Sequence, residues 1–147
     1  MRKIFLMFQT IFLKKWTDNF TSTEIIAIAI EQWKKGLTGI SDEAIAKAID
    51  HCRMNLEWPP SIAEFIGICE KFCGVPSVDE AFQAAIRRDF DHPVIKLAFD
   101  KVGSWAMRND NEDVLRKKFK DAYREALGFY REANAMKHKQ LESANDR

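Results

Sequence analysis

Start signals for helices recur along this chain, and their recurrence limits what it can fold into more than any other feature. Ser61-Ile62-Ala63-Glu64 and Ser77-Val78-Asp79-Glu80 both have the form of a capping box. In that device a serine hydroxyl accepts from a free amide of the first turn while the glutamate reaches back to the serine's own N–H. Thr21-Ser22-Thr23-Glu24 offers a third, with Thr21 as the cap. Ser41, followed by Asp42 and Glu43, opens another helix with carboxylates at its positive end. Trp58-Pro59-Pro60 and Asp91-His92-Pro93 mark breaks, because proline lacks the amide a helix interior needs and pushes the residue before it towards extended geometry.

Between these signals the apolar residues recur three and four apart, the spacing of a helix with one buried face. Ile4, Phe8, Ile11, Phe12 and Leu13 predict a first helix over 3–16. Ile25, Ile26, Ala29, Ile30 and Trp33 form the inward stripe of a second, ended by Gly36 in the left-handed conformation. Ala44, Ile45, Ala48, Ile49 and Cys52 face inward on the third, and Gly74 closes the fourth, which starts at Ser61. Ala81, Phe82, Ala85 and Ile86 line the fifth. Val94, Leu97, Ala98, Val102, Trp105 and Ala106 carry a sixth across Gly103. Asp110 caps a last helix running into the 130s, with Val114, Leu115, Phe119, Tyr123, Ala126, Leu127 and Tyr130 as its contacts. No stretch alternates as a strand would. The expected fold is all-α, a compact multi-helix domain of six to seven helices or two small helical lobes. Its parts are an N-terminal lobe over 1–74, a C-terminal lobe over 75–136 and a polar, frayed tail over 137–147.

Hydrophobic residues at 46% and aromatics at 12% supply a core, so disorder is not expected. Lys+Arg 23 against Asp+Glu 22 leaves a net charge of +1, which argues against a protein whose main task is to coat DNA. Three cysteines, Cys52, Cys69 and Cys73, are an odd set with no secretory context, which points to a reducing cytoplasm. Arg2-Lys3 before Ile4–Phe8 resembles the start of a signal peptide, but Gln9 and Thr10 interrupt the apolar run and no small-residue cleavage site follows. No membrane partner is expected.

Catalytic chemistry finds little to work with. His51, His92 and His138 are the only histidines, and His92 beside Asp89 and Asp91 reads as a helix start. Cys69, Cys73, His51 and Cys52 could in principle hold zinc, but buried cysteine packs like a small hydrophobe and no two-residue-spaced pair is present. There is no phosphate-binding glycine loop. The expectation is a non-enzyme with no catalytic residue, metal, cofactor or small-molecule substrate.

Binding is the better prospect. Arg108, Arg116, Lys117, Lys120 and Arg124 are the candidate contacts to DNA or to an acidic protein surface, with a merely solvated helix face as the plain alternative. Trp58 in the rigid Trp58-Pro59-Pro60 connector either plugs the core between two helices or stands out as an interaction anchor. Trp105 and Tyr123 fit core positions by their helical spacing, with Trp105 the second candidate anchor and base stacking its alternative use.

Read in order, these landmarks resemble the phage lambda replication protein P family. Gln32-Trp33 to Gly36-Leu37 is similar to that family's tryptophan helix ending in glycine and a hydrophobic turn. Ile45 to Arg53, Trp58-Pro59-Pro60-Ser61 and Glu64-Phe65 resemble its helix, proline-containing cap and phenylalanine. Cys69-Glu70, Pro76-Ser77-Val78, Trp105 to Asn109 and Asp113 to Lys117 continue the likeness, which covers most of 20–135. The Trp-Pro-Pro element is also similar to helicase loaders and inhibitors of Gram-positive phages. The chain is shorter than the family pattern at both ends, and the aromatic helix with Phe5, Phe8 and Phe12 has no counterpart in it.

The resemblance implies a non-enzymatic DNA replication protein. It would bind a hexameric DnaB-type replicative helicase and load it at origin DNA, or withhold it, with an origin-binding initiator and single-stranded DNA as further candidate partners. Two alternatives stay open. One is a DNA-binding helix-turn-helix built from the second and third helices, in which Lys47 and Arg53 are the only obvious phosphate partners on the third, Ser41–Asn55. The other is an inhibitor of a host replication protein.

Overall fold

Local capping chemistry decides where most of the helices begin. In the computed structural model, which describes residues 1–146, Ser41 accepts from the Ala44 amide, Ser61 from Glu64 and Ser77 from Glu80. Glu64 and Glu80 each return a bond to their serine's amide, at 2.7 and 2.8 Å, completing both capping boxes. The two bonds from Ser61, backbone first, hold the Glu64 carboxyl below the usual carboxylate range. The fold is all-α, with no strand among the described residues, and the chain divides into two units, Met1–Cys73 and a second that starts at Gly74.

The first unit contains α1 (Arg2–Phe12), α2 (Lys14–Thr17), α3 (Thr23–Gly36), α4 (Asp42–Asn55) and α5 (Ile62–Phe72). Its centre is aromatic. Phe8 is fully buried, and its ring lies 5.1–5.7 Å from those of Phe12, Trp16, Trp33 and Phe65, mostly edge to face. Such pairs add about 0.5–1.5 kcal/mol each to the area they bury. Ala48, Ile49, Cys52 and Cys69 bring α4 and α5 into the same cluster. The single helix expected over 3–16 is broken at Leu13, whose φ of 52° is sparsely populated for a residue with a side chain. That turn folds Trp16 back within 5.1 Å of both Phe5 and Phe8. Stacking of large rings outweighs the strain of one residue.

Three further details of this unit differ from the sequence expectation. Ser22, not Thr21, caps α3, which puts Ile25 rather than Glu24 at the third helical position, so no capping box forms. Gly36 is helical rather than left-handed. Its value is its missing side chain, since a Cβ there would come within 3.1 Å of both Ile62 and Ile66 on α5. The stripe on α3 is only partly inward: Trp33 is buried, while Ile25 and Ile26 are exposed.

The second unit contains α6 (Val78–Ile86), α7 (Pro93–Val102), α8 (Ser104–Asn109) and α9 (Glu112–Asn145). Its core sets Phe82 of α6, Val94 and Ala98 of α7, and Leu115, Phe119 and Ala126 of α9 together. Tyr123 is buried, and its hydroxyl donates to the Pro76 carbonyl. The sixth helix of the sequence reading is two: Gly103 at φ +89° ends α7 and starts α8 at a new angle. Asn111 caps α9 in place of Asp110. Asp110 instead accepts from Lys118 at 2.6 Å, a full two turns along. The helix also continues to Asn145, past the expected fraying point near Met136. Its last turns are rich in good helix formers and carry a His138–Glu142 pair at 3.6 Å. Among the described residues no helix is long and apolar enough to cross a membrane.

Candidate interaction surfaces

A helix advances 100° per residue, so the buried face of α9 dictates what its opposite face presents. Leu115, Phe119, Ala122 and Ala126 point into the core. Lys117, Lys120 and Arg124, at i, i+3 and i+7, therefore fall on the far side, in a row about 10 Å long. All three are exposed and make no ion pair among the described residues. Asp113 lies at one end of the row and Asp121 on its flank, so its cationic surplus is modest.

Several other basic residues of this unit are already committed. Lys96 pairs with Asp100, Lys101 with Glu125 and Lys118 with Asp110. Arg116 sits 4.7 Å over the Phe82 ring and binds Glu112 at 2.8 Å and Asp79 at 3.6 Å, so it braces α9 on α6. Arg108, on α8, donates from Nε to the Ser104 carbonyl at 3.2 Å. Of the five cations singled out by sequence, the structure thus gathers Lys117, Lys120 and Arg124 as charges without an ion pair among the described residues and turns Arg116 and Arg108 towards their own fold.

One apolar residue completes this surface. Val114 is 43% exposed and shares with Asp113, Arg116, Lys117 and Lys120 a shallow groove of about 390 Å³. An apolar floor with a charged rim has the anatomy of a protein interface. Val114 is thus not the core contact its spacing predicts, because spacing from Leu115 and Phe119 does not reveal where the neighbouring helix stops.

Both anchor tryptophans stand in solvent. Trp58 is 63% exposed and Pro60 buried, so the proline rather than the tryptophan plugs the first unit. Pro59 is half-buried. Lys15 holds the connector from α2, with Nζ 4.3 Å from the Trp58 ring centroid and donating to the Glu57 carbonyl at 3.0 Å. Trp105 is 69% exposed, a correction to its expected core position. The break at Gly103 rotates α8 out of the register of α7, which leaves Ala106 as the buried residue of that short helix.

A further surface went unread in the sequence. Phe5, Leu6, Phe20, Ile26 and Ile30 line an apolar groove of about 490 Å³ between α1 and α3. Its signal was present in Ile25-Ile26-Ala27-Ile28-Ala29-Ile30, which is apolar on every face and so exceeds what one buried stripe requires.

The titratable groups are structural in their settings. Burial pushes the Cys52 thiol up to about 11 and Cys69 to about 12, while Cys73 is exposed. His51 shares a hydrogen-bonding distance of 3.4 Å with Asn55. His92 is the N-cap of α7, with Nδ1 accepting from the Val94 amide at 3.2 Å and its ring 4.8 Å from that of Tyr130. Burial lowers its pKa. No group of three His, Cys, Asp or Glu side chains among the described residues is placed to hold a metal ion. No protein-family model, curated protein or solved structure matches this chain.

Proposed function

We propose that this protein is a non-enzymatic adaptor of DNA replication. In this reading it binds a hexameric DnaB-type helicase through α9 and loads it at origin DNA, or withholds it. The observation that carries the reading is the row of Lys117, Lys120 and Arg124, cations with no ion pair among the described residues, the first two of which border the groove that holds Val114. The small cationic surplus suits an acidic protein surface better than a long run of phosphates, where affinity grows with each neutralised charge. The ordered likeness of residues 20–135 to replication protein P supplies the identity of the partner. A binder that prefers one ring conformation shifts the helicase towards it with no chemistry of its own. An origin-binding initiator and single-stranded DNA are the further partners of this reading.

The helix-turn-helix alternative loses support from α4. Lys47 pairs with Glu43 at 2.8 Å and Arg53 with Asp50 at 2.5 Å, so both candidate phosphate contacts are engaged within their own helix.

The test is co-elution of the full chain with its host's replicative helicase in size-exclusion chromatography with light scattering, with and without ATP. A complex of defined stoichiometry is expected. Charge reversal at Lys117, Lys120 and Arg124 together should weaken it about 10–100-fold, since three exposed charges are each worth roughly 0.5–1 kcal/mol. Absence of a complex at about tens of micromolar, an affinity of roughly −6 kcal/mol or weaker, refutes the partner. Unchanged affinity of a folded triple variant refutes the surface.

A further inference from the structure

The second half of α9 carries more apolar surface than its own unit uses. The helix has 34 residues, about 51 Å, and among the described residues none after Ala126 is buried. Yet the spacing that packs its first half continues. Phe119, Ala122, Ala126, Phe129, Ala133 and Met136 follow one another at alternating steps of three and four, the repeat of a two-helix seam. Phe119, Ala122 and Ala126 are used by the core. Phe129 and Met136 are each 64% exposed, on the same line. An apolar seam along a stretch of helix that its own unit leaves uncovered is the pattern of a helix that packs against another.

Charge identifies the occupant. Glu132 and Lys139 flank the seam, and neither forms an ion pair among the described residues. His138 and Glu142, on the outer side, are paired with each other. Laid antiparallel, two copies of this segment place Glu132 opposite Lys139 of the second copy, twice by symmetry. The same register sets Ala133 against Met136 of the second copy and Phe129 against its Gln140, so large side chains meet small or flexible ones. A parallel pairing would put Met136 on Met136 and Ala133 on Ala133, a crowded layer beside an empty one. We infer that the α9 seam from Phe129 to Gln140 is an antiparallel homodimer interface. It would bury about 1,000 Å² in total, at the low end for specific association, which suits a dimer that forms in the micromolar range.

Sedimentation equilibrium of the full chain from about 1 to about 300 µM reads the result directly. A monomer–dimer equilibrium is expected, and Phe129→Asp with Met136→Asp should weaken it at least about tenfold without loss of helicity, because both side chains are exposed in the single chain. Glu132→Lys and Lys139→Glu should each weaken the dimer, and the two together should restore it. A chain monomeric throughout, or a dimer indifferent to Phe129→Asp and Met136→Asp, overturns the interface. Restoration by Glu132→Lys with Lys137→Glu instead overturns the antiparallel register. Seam variants that weaken only binding to a different protein overturn the second copy as occupant.

Discussion

Phe8→Ala tests the aromatic centre of the first unit. Phe8 is fully buried among four other rings, so its removal costs both the transfer of the ring and the cavity it leaves. The neighbours cannot collapse cheaply, since Phe65, Trp16 and Trp33 are themselves in contact with further rings. The expected loss is about 3–5 kcal/mol. A unit of 73 residues has roughly 4–11 kcal/mol of stability in all, so the substitution removes about a quarter of it or more. Urea unfolding followed by tryptophan fluorescence is the suitable assay. Trp16 and Trp33 are buried and change environment on unfolding, whereas Trp58 and Trp105 are already in solvent. With a slope near about 1 kcal/mol per molar urea, the midpoint should fall by roughly 3 M or more. Leu13→Ala, at a residue 67% exposed, should change the stability by less than about 0.5 kcal/mol. A Phe8→Ala loss below about 1 kcal/mol would refute the idea that these rings form a dense core.

Three further outcomes follow from the second unit and the thiols. Arg88 has a left-handed φ of 56°, and the Asp89 and Arg88 amides donate to Ala84 and Ala85, the bonding of a helix terminus that favours glycine. Arg88→Gly should raise stability by about 0.5–1 kcal/mol in thermal unfolding, once the added freedom of the unfolded chain is set against the relieved strain. Iodoacetamide should label Cys73 quickly in the native protein, and Cys52 and Cys69 only through opening of the fold, because burial raises both thiols. His92 caps α7 in its neutral form and has a folded pKa below the ordinary 6.5, so the folded state binds fewer protons than the unfolded one. Its contribution should be complete above pH 6.5 and decline as pH falls through the lowered value. His92→Asn, which caps without titrating there, should remove that part of the pH dependence seen in denaturant midpoints.

The fold class and many helix starts were legible in the residues themselves. Ser41, Ser61, Ser77 and Pro93 act within a turn of their own position, and short-range chemistry of that kind does not depend on what packs nearby. Partnering of charges was only half legible. The exposure of Lys117, Lys120 and Arg124 follows from the opposite face of α9 being buried, and the apolar repeat already implies that face. The commitment of Arg116 to Phe82 and Asp79 joins residues more than thirty positions apart, and no local pattern announces it.

Sequence by itself determined an all-helical chain and the two capping boxes at Ser61 and Ser77, because each rests on hydrogen bonds or periodicities that span a few residues. Only the tertiary structure decided the turn at Leu13, the close approach at Gly36, the exposure of Trp58 and Trp105 and the apolar groove beside Ile26. Each of these depends on which surface a distant helix happens to cover. An apolar residue at helical spacing can be buried, but whether it is buried is settled by the reach of its neighbour and not by its own position in the repeat.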